Sequence, residues 1–415
     1  MPEHVSLTTR LNKGYVPVTS TPQLVYALLT AKPGETIARS RMALNFGFVL
    51  DRSGSMRGEK IARLIDAVRL ALGKVSTDDL VSVTTFNDRA DVVAAGARMS
   101  EHRSLADQIA RIRAGGGTQM SRGLSLGLRE VYRRFDKNRV NQVILLTDGQ
   151  TYGDEEQCLR LANEAGDHHI AIQAFGLGSD WNESLLDEMA RRSSGNSDLI
   201  ESPDEIVPLF SQTVERSQRA IVRNARVTLR LVSGVVPRQV WQVTPVIANL
   251  GYAPIGEHDV QVELGELDAE QGKSLLVELV LPPRQAGRFR IAQAQLGYDL
   301  PLEHTSDVSG RSDIVVDYVT DPALVRTYDP TLMNIVEKVT AFKLQTRALE
   351  EAQQGNIIGA TQKLRAAATR LLELGEDDLA RAANQEADNL EQAGQMSSGG
   401  TKKLRYQTRK LTQEL

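Results

Sequence analysis

The chain has 415 residues, with 49 Lys and Arg against 53 Asp and Glu, and a formal net charge of −4. So even a balance sets up no global field that would draw the protein onto nucleic acid or an anionic membrane. Its single cysteine, Cys158, excludes an internal disulfide and any thiolate-rich zinc or iron–sulfur centre. The start of the chain lacks a basic segment leading into an apolar one, and no run of about 18 apolar residues occurs, so a cytoplasmic chain without a membrane span is expected.

Residues 1–40 read as strands. Val5 to Leu11 alternates apolar and polar side chains, and Gln23 to Leu29 is a second candidate, ended by Lys32-Pro33-Gly34. From 41 to 218 the pattern changes. Phe46-Gly47-Phe48-Val49-Leu50 is a continuous apolar run, as a strand covered on both faces requires. Ile61, Leu64, Ile65, Val68 and Leu72 follow at helical spacing, then a strand from Leu80 to Phe86 with Asp91 to Ala97 as a short neighbour. Leu124, Leu128 and Val131 mark another helix, Val143–Leu146 and Ile170–Phe175 two more buried strands, and Glu205–Arg219 a closing helix. Strands alternating with helices predict a Rossmann-like, open, mainly parallel α/β sheet.

Residues 219–320 return to β character, with candidate strands at Val227–Val232, Val260–Leu264, Leu275–Leu281 and Ile314–Tyr318. Together with 1–40 they predict one β-sandwich into which the α/β domain is inserted. Over 331–394 the apolar stripes are helical: Ile335, Val339, Phe342 and Leu349, then Leu364, Leu371 and Leu372, then Leu379, Ala383 and Leu390. Breaks at Gly355-Asn356 and Leu374-Gly375 divide them into a helical bundle. Residues 395–415 read as a flexible link through Ser397-Ser398-Gly399-Gly400 and a basic tail carrying Lys402, Lys403, Arg405, Arg409 and Lys410, in which Leu404 and Leu411, seven apart, suit a helix docked on protein, with a solvated tail as the alternative.

The segment that carries chemistry is Asp51-Arg52-Ser53-Gly54-Ser55, at the end of the first buried strand. In open α/β sheets, ligand sites collect outside the carboxyl ends of the strands. Gly115-Gly116-Gly117-Thr118 and Thr147-Asp148-Gly149 end at the same edge. Asp51, Ser53, Ser55, Thr118 and Asp148 thus offer oxygen donors from three loops, a set that suits Mg²⁺, Mn²⁺ or Ca²⁺ rather than zinc or copper. Taken alone, Asp51 and Ser53 would serve equally well as caps of the helix that follows.

Asp-x-Ser-x-Ser, a distant Thr in a Gly-rich loop and a later Asp resemble the metal-ion-dependent adhesion site of a von Willebrand factor type A domain. Asp51, Ser53, Ser55, Thr118 and Asp148 fill that pattern in order. The resemblance implies that Ser53 and Ser55 bind the metal directly and that Thr118 binds it directly or through water. It further implies that Asp51 and Asp148 act mostly through water or as acceptors. A metal so poorly neutralised attracts a carboxylate from a partner protein. The rim around it is expected to comprise Met56, Arg57, Gln119, Gln150 and Tyr152.

The expected function is therefore that of a bacterial, cytoplasmic, Mg²⁺-dependent interaction or adaptor protein, not an enzyme, with no catalytic residue assigned. An ATPase, kinase or phosphatase is the partner suggested by analogy. Self-assembly through the metal face is the alternative, and metal-dependent hydrolysis a third reading. A haloacid-dehalogenase-like phosphatase would need an acid two residues after Asp51, where the chain has Ser53. Gly272-Lys273-Ser274 mimics the end of a phosphate loop, but Leu267 stands where that loop needs its first glycine. His168-His169 reads as an exposed connection, and Cys158, after Asp154-Glu155-Glu156, as an inert thiol.

Overall fold

The computed structural model describes residues 4–34, 41–102, 104–303 and 305–413. Residues 1–3 and 35–40 of the expected N-terminal strands, and 414–415 of the expected tail, lie outside the described residues. The chain folds as two compact units. One, the host, comprises residues 1–40 and 221–415; the other, the inserted unit, comprises residues 41–220. The host begins with β1 (Val5–Leu11), β2 (Tyr15–Pro17) and β3 (Gln23–Pro33).

The inserted unit runs β4 (Ala43–Asp51), α1 (Glu59–Leu72), β5 (Leu80–Phe86), β6 (Ala90–Arg98), α2 (Leu105–Ala110), α3 (Met120–Tyr132) and β7 (Arg139–Thr147). It continues with α4 (Glu155–Asp167), β8 (Ala171–Leu177), α5 (Glu183–Arg192), β9 (Ser197–Ile200) and α6 (Ile206–Gln218). Its sheet has the order β6-β5-β4-β7-β8-β9. All neighbours are parallel except β6, the expected short strand, which pairs antiparallel with β5 at the edge. Helices cover both faces, and β4 and β7 are accordingly buried along all but their first residue. α1 turns Leu64, Ala67, Val68 and Leu72 into the core. Chain order reverses across β5-β4-β7, so the crevice at the carboxyl ends of β4 and β7 is a topological switch point. At the opposite edge the unit's two ends meet, Met42 N–H donating to the Gln218 carbonyl at 3.4 Å.

Cys158 lies buried on α4. Burial above all, with Asp154 and Glu155 behind it, pushes its thiol up to about 12. The native protein is therefore expected to resist iodoacetamide near pH 8 and to alkylate only on unfolding, which mass spectrometry would read directly.

The host resumes with β10 (Ala220–Leu231), β11 (Val236–Thr244), β12 (Ala248–Asn249), β13 (Ala253–Pro254), β14 (Asp259–Asp268), β15 (Lys273–Leu281), β16 (Gly287–Leu300) and β17 (Thr305–Val319). These strands form a five-stranded sheet, β1-β3-β15-β11-β12, and a six-stranded sheet, β13-β14-β10-β16-β17-β2. Val25, Ala27 and Leu29 from one sheet and Leu229, Leu296 and Val316 from the other share a single core. The last elements are α7 (Pro322–Val325), α8 (Pro330–Gln353), α9 (Ile357–Glu373), α10 (Asp377–Ala393) and α11 (Ser398–Arg409).

The helices pack on one another in sequence, α8 on α9 and α9 on α10, and share their core with one face of the sheet. Leu28, Trp241 and Leu276, on the outer face of the five-stranded sheet, join Ile335, Phe342, Leu364, Ala383 and Leu404 in one apolar cluster. The cause is that β15 is buried at six consecutive positions, Ser274 to Leu279, so its second face must be covered as well. One expectation for this region needs correction: Ser397–Gly400 is not a flexible link. Ser397 caps α11 through the Gly400 N–H, while buried Glu386 of α10 accepts from both the backbone N–H and the hydroxyl of Ser397, at 2.7 and 2.6 Å.

Where α8 meets the sheet, Lys343 donates to Glu278 at 2.6 Å, with its ammonium 5.4 Å from the centroid of the Trp241 ring. Glu278 is buried. Lys343→Ala leaves that carboxylate uncompensated and is expected to cost about 3 kcal/mol in urea unfolding, whereas Lys343→Ala with Glu278→Gln recovers most of the loss.

Candidate metal centre

β4 ends at Asp51, and the parallel register puts Leu50 beside Leu146, so Asp51 and Thr147 finish side by side. Thr147 donates its hydroxyl to Asp51 Oδ2 at 2.6 Å, and the Ser53 backbone N–H donates to Asp51 Oδ1 at 2.7 Å. The carboxyl is buried, and burial raises it to about 6 against the pull of these donors, with Asp148 adding to the rise. The chain then turns through a 3₁₀ segment, Gly54–Met56, before α1 begins at Glu59 behind Gly58. Neither Asp51 nor Ser53 caps α1, so the helix-cap role open to these residues in the sequence is not the one they take.

The 3₁₀ turn brings the Ser53 and Ser55 hydroxyls within 3.0 Å of each other, and Ser55 donates to Asp148 Oδ1 at 2.6 Å. Thr118 arrives from the glycine loop before α3. A Cβ placed on Gly149 would stand 3.5 Å from Thr118 Oγ1 and 3.7 Å from Ser55 Oγ, so the third loop reaches the same point. All five expected donors are thus brought together at the switch point. Asp51, Ser53 and Asp148 are buried, Thr118 is half-buried and Ser55 faces solvent.

The glycine loop is held by backbone and side-chain contacts on both sides. Gly54 N–H donates to the Gly116 carbonyl at 2.9 Å, Gly115 N–H to the Arg52 carbonyl at 2.8 Å, and Asn87 Nδ2 to the Gly115 carbonyl at 2.6 Å. Asp88 Oδ1 accepts from Gly117 N–H at 2.9 Å. Gly116 has φ +87, and a Cβ there would sit 2.5 Å from Asp88 Oδ2, so both backbone and space call for glycine. Beyond the loop, Thr151 and Asp154 fix the start of α3 by accepting from Met120 N–H and Ser121 N–H, at 3.2 and 2.8 Å.

Four of the five expected rim residues lie at or near the surface: Arg57, Gln150 and Tyr152 are exposed, Tyr152 at 79%, and Gln119 is half-buried as the N-cap residue of α3. Met56 does not. It is fully buried in the core of the inserted unit, because the 3₁₀ turn points it inward under the loop. Two residues at the centre went unread in the sequence. Thr147 holds Asp51, as above, and Lys60 donates to Asp148 Oδ2 at 2.5 Å from the first turn of α1. A lysine nine residues after Asp51, in the first turn of a helix that starts beside the site, was the available signal.

Hydroxyl and carboxylate oxygens alone make up this donor set, and they fit a hard divalent cation. Among the described residues no three His, Cys, Asp or Glu side chains are grouped to hold a metal. His168 and His169 lie just after α4 and are exposed, His168 edge-on to the Tyr132 ring with the ring centroids 4.6 Å apart.

The sheet order, the covering helices and the loops at the switch point define a von Willebrand factor type A domain, whose family model matches residues 45–211. The chain belongs to the Sll0103-like family of proteins carrying this domain: a second model, "Sll0103-like, C-terminal alpha-helical domain", matches residues 330–414. It is 30% identical over 374 residues to the uncharacterized protein sll0103 of Synechocystis sp., covering 88% of this chain and 87% of the relative. Escherichia coli YfbK is 23% identical over 262 residues, which spans 61% of this chain but only 44% of YfbK. A solved structure described as von Willebrand factor type A from Catenulispora acidiphila superposes with a TM-score of 0.78 at 18% identity, covering 98% of this chain and 97% of that one, and so shares its fold.

Proposed function

We propose that this protein is a metal-dependent protein-interaction module. Ser53, Ser55 and Thr118 would hold a Mg²⁺ ion, with Mn²⁺ and Ca²⁺ as alternatives, and Asp51 and Asp148 would fix those hydroxyls in place. The ion supplies an electrophilic position for an Asp or Glu of a partner protein. The observation that carries this reading is the contact chain Ser53–Ser55–Asp148, open to solvent at Ser55, beside an Asp51 whose two oxygens are both engaged. A carboxylate so occupied is poorly placed to act as a general base, which favours binding over hydrolysis.

Arg57, Gln119, Gln150 and Tyr152 form the rim that would select the partner. The family's common role in protein–protein interaction agrees with this, and we read the chain as an adaptor acting in the cytoplasm beside an ATPase, kinase or phosphatase. No helix among the described residues is long and apolar enough to cross a membrane.

Calorimetric titration with Mg²⁺, Mn²⁺ and Ca²⁺ tests the centre. Ser53→Ala with Ser55→Ala is expected to weaken binding by about a hundredfold, roughly 2.7 kcal/mol for two direct ligands; unchanged affinity would sink the assignment. Mass photometry with and without Mg²⁺ separates the adaptor from self-assembly: a metal-dependent rise in mass of the purified protein favours the second.

A further inference from the structure

Lys60 is a feature that the metal reading does not require. Its ammonium stands 2.5 Å from Asp148 Oδ2, while Asp148 Oδ1 takes the Ser55 hydroxyl at 2.6 Å. An ammonium therefore lies across a single carboxylate from a hydroxyl assigned to the metal. The Asp148 side chain is fully buried and the Lys60 side chain is 35% exposed, so the ammonium covers the carboxylate from the solvent side. Asp51 and Asp148 bring two negative charges and Lys60 returns one, so the three side chains together carry a single net negative charge. A divalent cation turns that into a net positive charge, which one incoming carboxylate would cancel. Without Lys60 the loaded centre would already be neutral.

We propose that Lys60 sets the charge of the centre, so that metal binds weakly until a carboxylate joins it and tightly once one has. This rests on the metal reading above and assigns Lys60 as a positioning and charge-setting residue, not a metal ligand. By linkage, a carboxylate that binds the loaded centre must raise metal affinity by the same factor that metal raises carboxylate affinity.

Mn²⁺ titrations at pH 7.5, with sodium acetate or with chloride at matched ionic strength, test this on the full chain. Lys60→Met keeps the stem length and helix propensity while removing the charge, and Lys60→Arg keeps the charge. Lys60→Met is expected to bind Mn²⁺ alone about tenfold more tightly, from the loss of one like charge at short range. The wild type and Lys60→Arg are expected to tighten several-fold when acetate is added, and Lys60→Met to respond little. Mn²⁺ binding that is equal or weaker in Lys60→Met, or a wild type indifferent to acetate, overturns the inference and leaves the metal centre standing. Absence of Mn²⁺ uptake by either protein removes the centre itself. Far-UV circular dichroism of each variant confirms that the comparison is between folded proteins.

Discussion

Asp51→Asn is expected to abolish metal-induced stabilisation and at the same time to raise the stability of the metal-free inserted unit. Asp51 is buried and lifted from 3.8 to about 6, chiefly by desolvation. Its folded form therefore holds a proton more tightly than the unfolded chain does. Between those two values the native state binds more protons, so metal-free stability falls as pH rises through the window and levels off above about 6. The cost at neutral pH is about 2–3 kcal/mol. Asparagine escapes it, because its carbonyl still accepts from Ser53 N–H, its amide donates to Thr147, and the Thr147 hydroxyl turns to the Gly149 carbonyl 3.2 Å away.

Thermal unfolding in EDTA at several pH values, followed by Trp181 in a Trp241→Phe background, isolates the inserted unit. Asp51→Asn is expected to flatten the pH dependence and to melt several degrees above the parent at neutral pH. In Mg²⁺ a hundredfold above its dissociation constant, the parent gains about 2.7 kcal/mol and the variant nothing. A variant that is less stable in EDTA would mean that the carboxylate supports the fold rather than the metal.

Leu404→Ala is expected to cost about 3 kcal/mol, and removal of the chain from residue 396 onward to abolish the cooperative unfolding of the helical layer. A basic tail on a flexible link could be removed freely. Here Leu404 is fully buried and Tyr406 nearly so, and the Arg409 carbonyl accepts from Ile247 N–H at 2.8 Å. Thr408 donates to buried Gln345 of α8 at 3.1 Å. Truncation strips a wall from the cluster that α8, α9 and α10 share with the sheet. Urea unfolding of the point variant and dye binding by the truncated chain are the measurements. A truncated protein with the parent's midpoint and no dye binding would mean that α11 contributes nothing to the fold.

What could be read from the sequence was local in origin. Phe46 to Leu50 and Val143 to Leu146 betray themselves because a strand covered on both faces has no polar side to show. Asp51, Ser53 and Ser55 lie at the end of β4 and on the loop after it, and Asp148 on the loop after β7, the two strand-to-helix loops that flank the switch point, while Thr118 comes from the glycine loop between α2 and α3. β11 and β16 were not among the expected strands, although β16 alternates buried residues, Ala292, Ala294, Leu296, Tyr298 and Leu300, with more exposed ones as a half-buried strand does. Met56 was misjudged because neighbours in sequence part company in a 3₁₀ turn. Ser397–Gly400 reads as a flexible link because the acceptor that orders Ser397, Glu386, lies on the preceding helix. Lys60 and Thr147 matter only through contacts made across the fold, and no spacing announces those.

The hydrogen bond between Met42 and Gln218 closes the inserted unit like a clasp. A module whose entry strand touches its exit helix asks little of its carrier: one cut in a loop suffices to receive it, and one short turn suffices to seal the loop after it leaves. Residues 41–220 are in this sense a detachable cartridge. They could be expressed alone with their ends unaltered, or exchanged for a cartridge with a different rim, while the sandwich and its helices keep their own core. Selection could then retune what the loops recognise without renegotiating the frame that carries them.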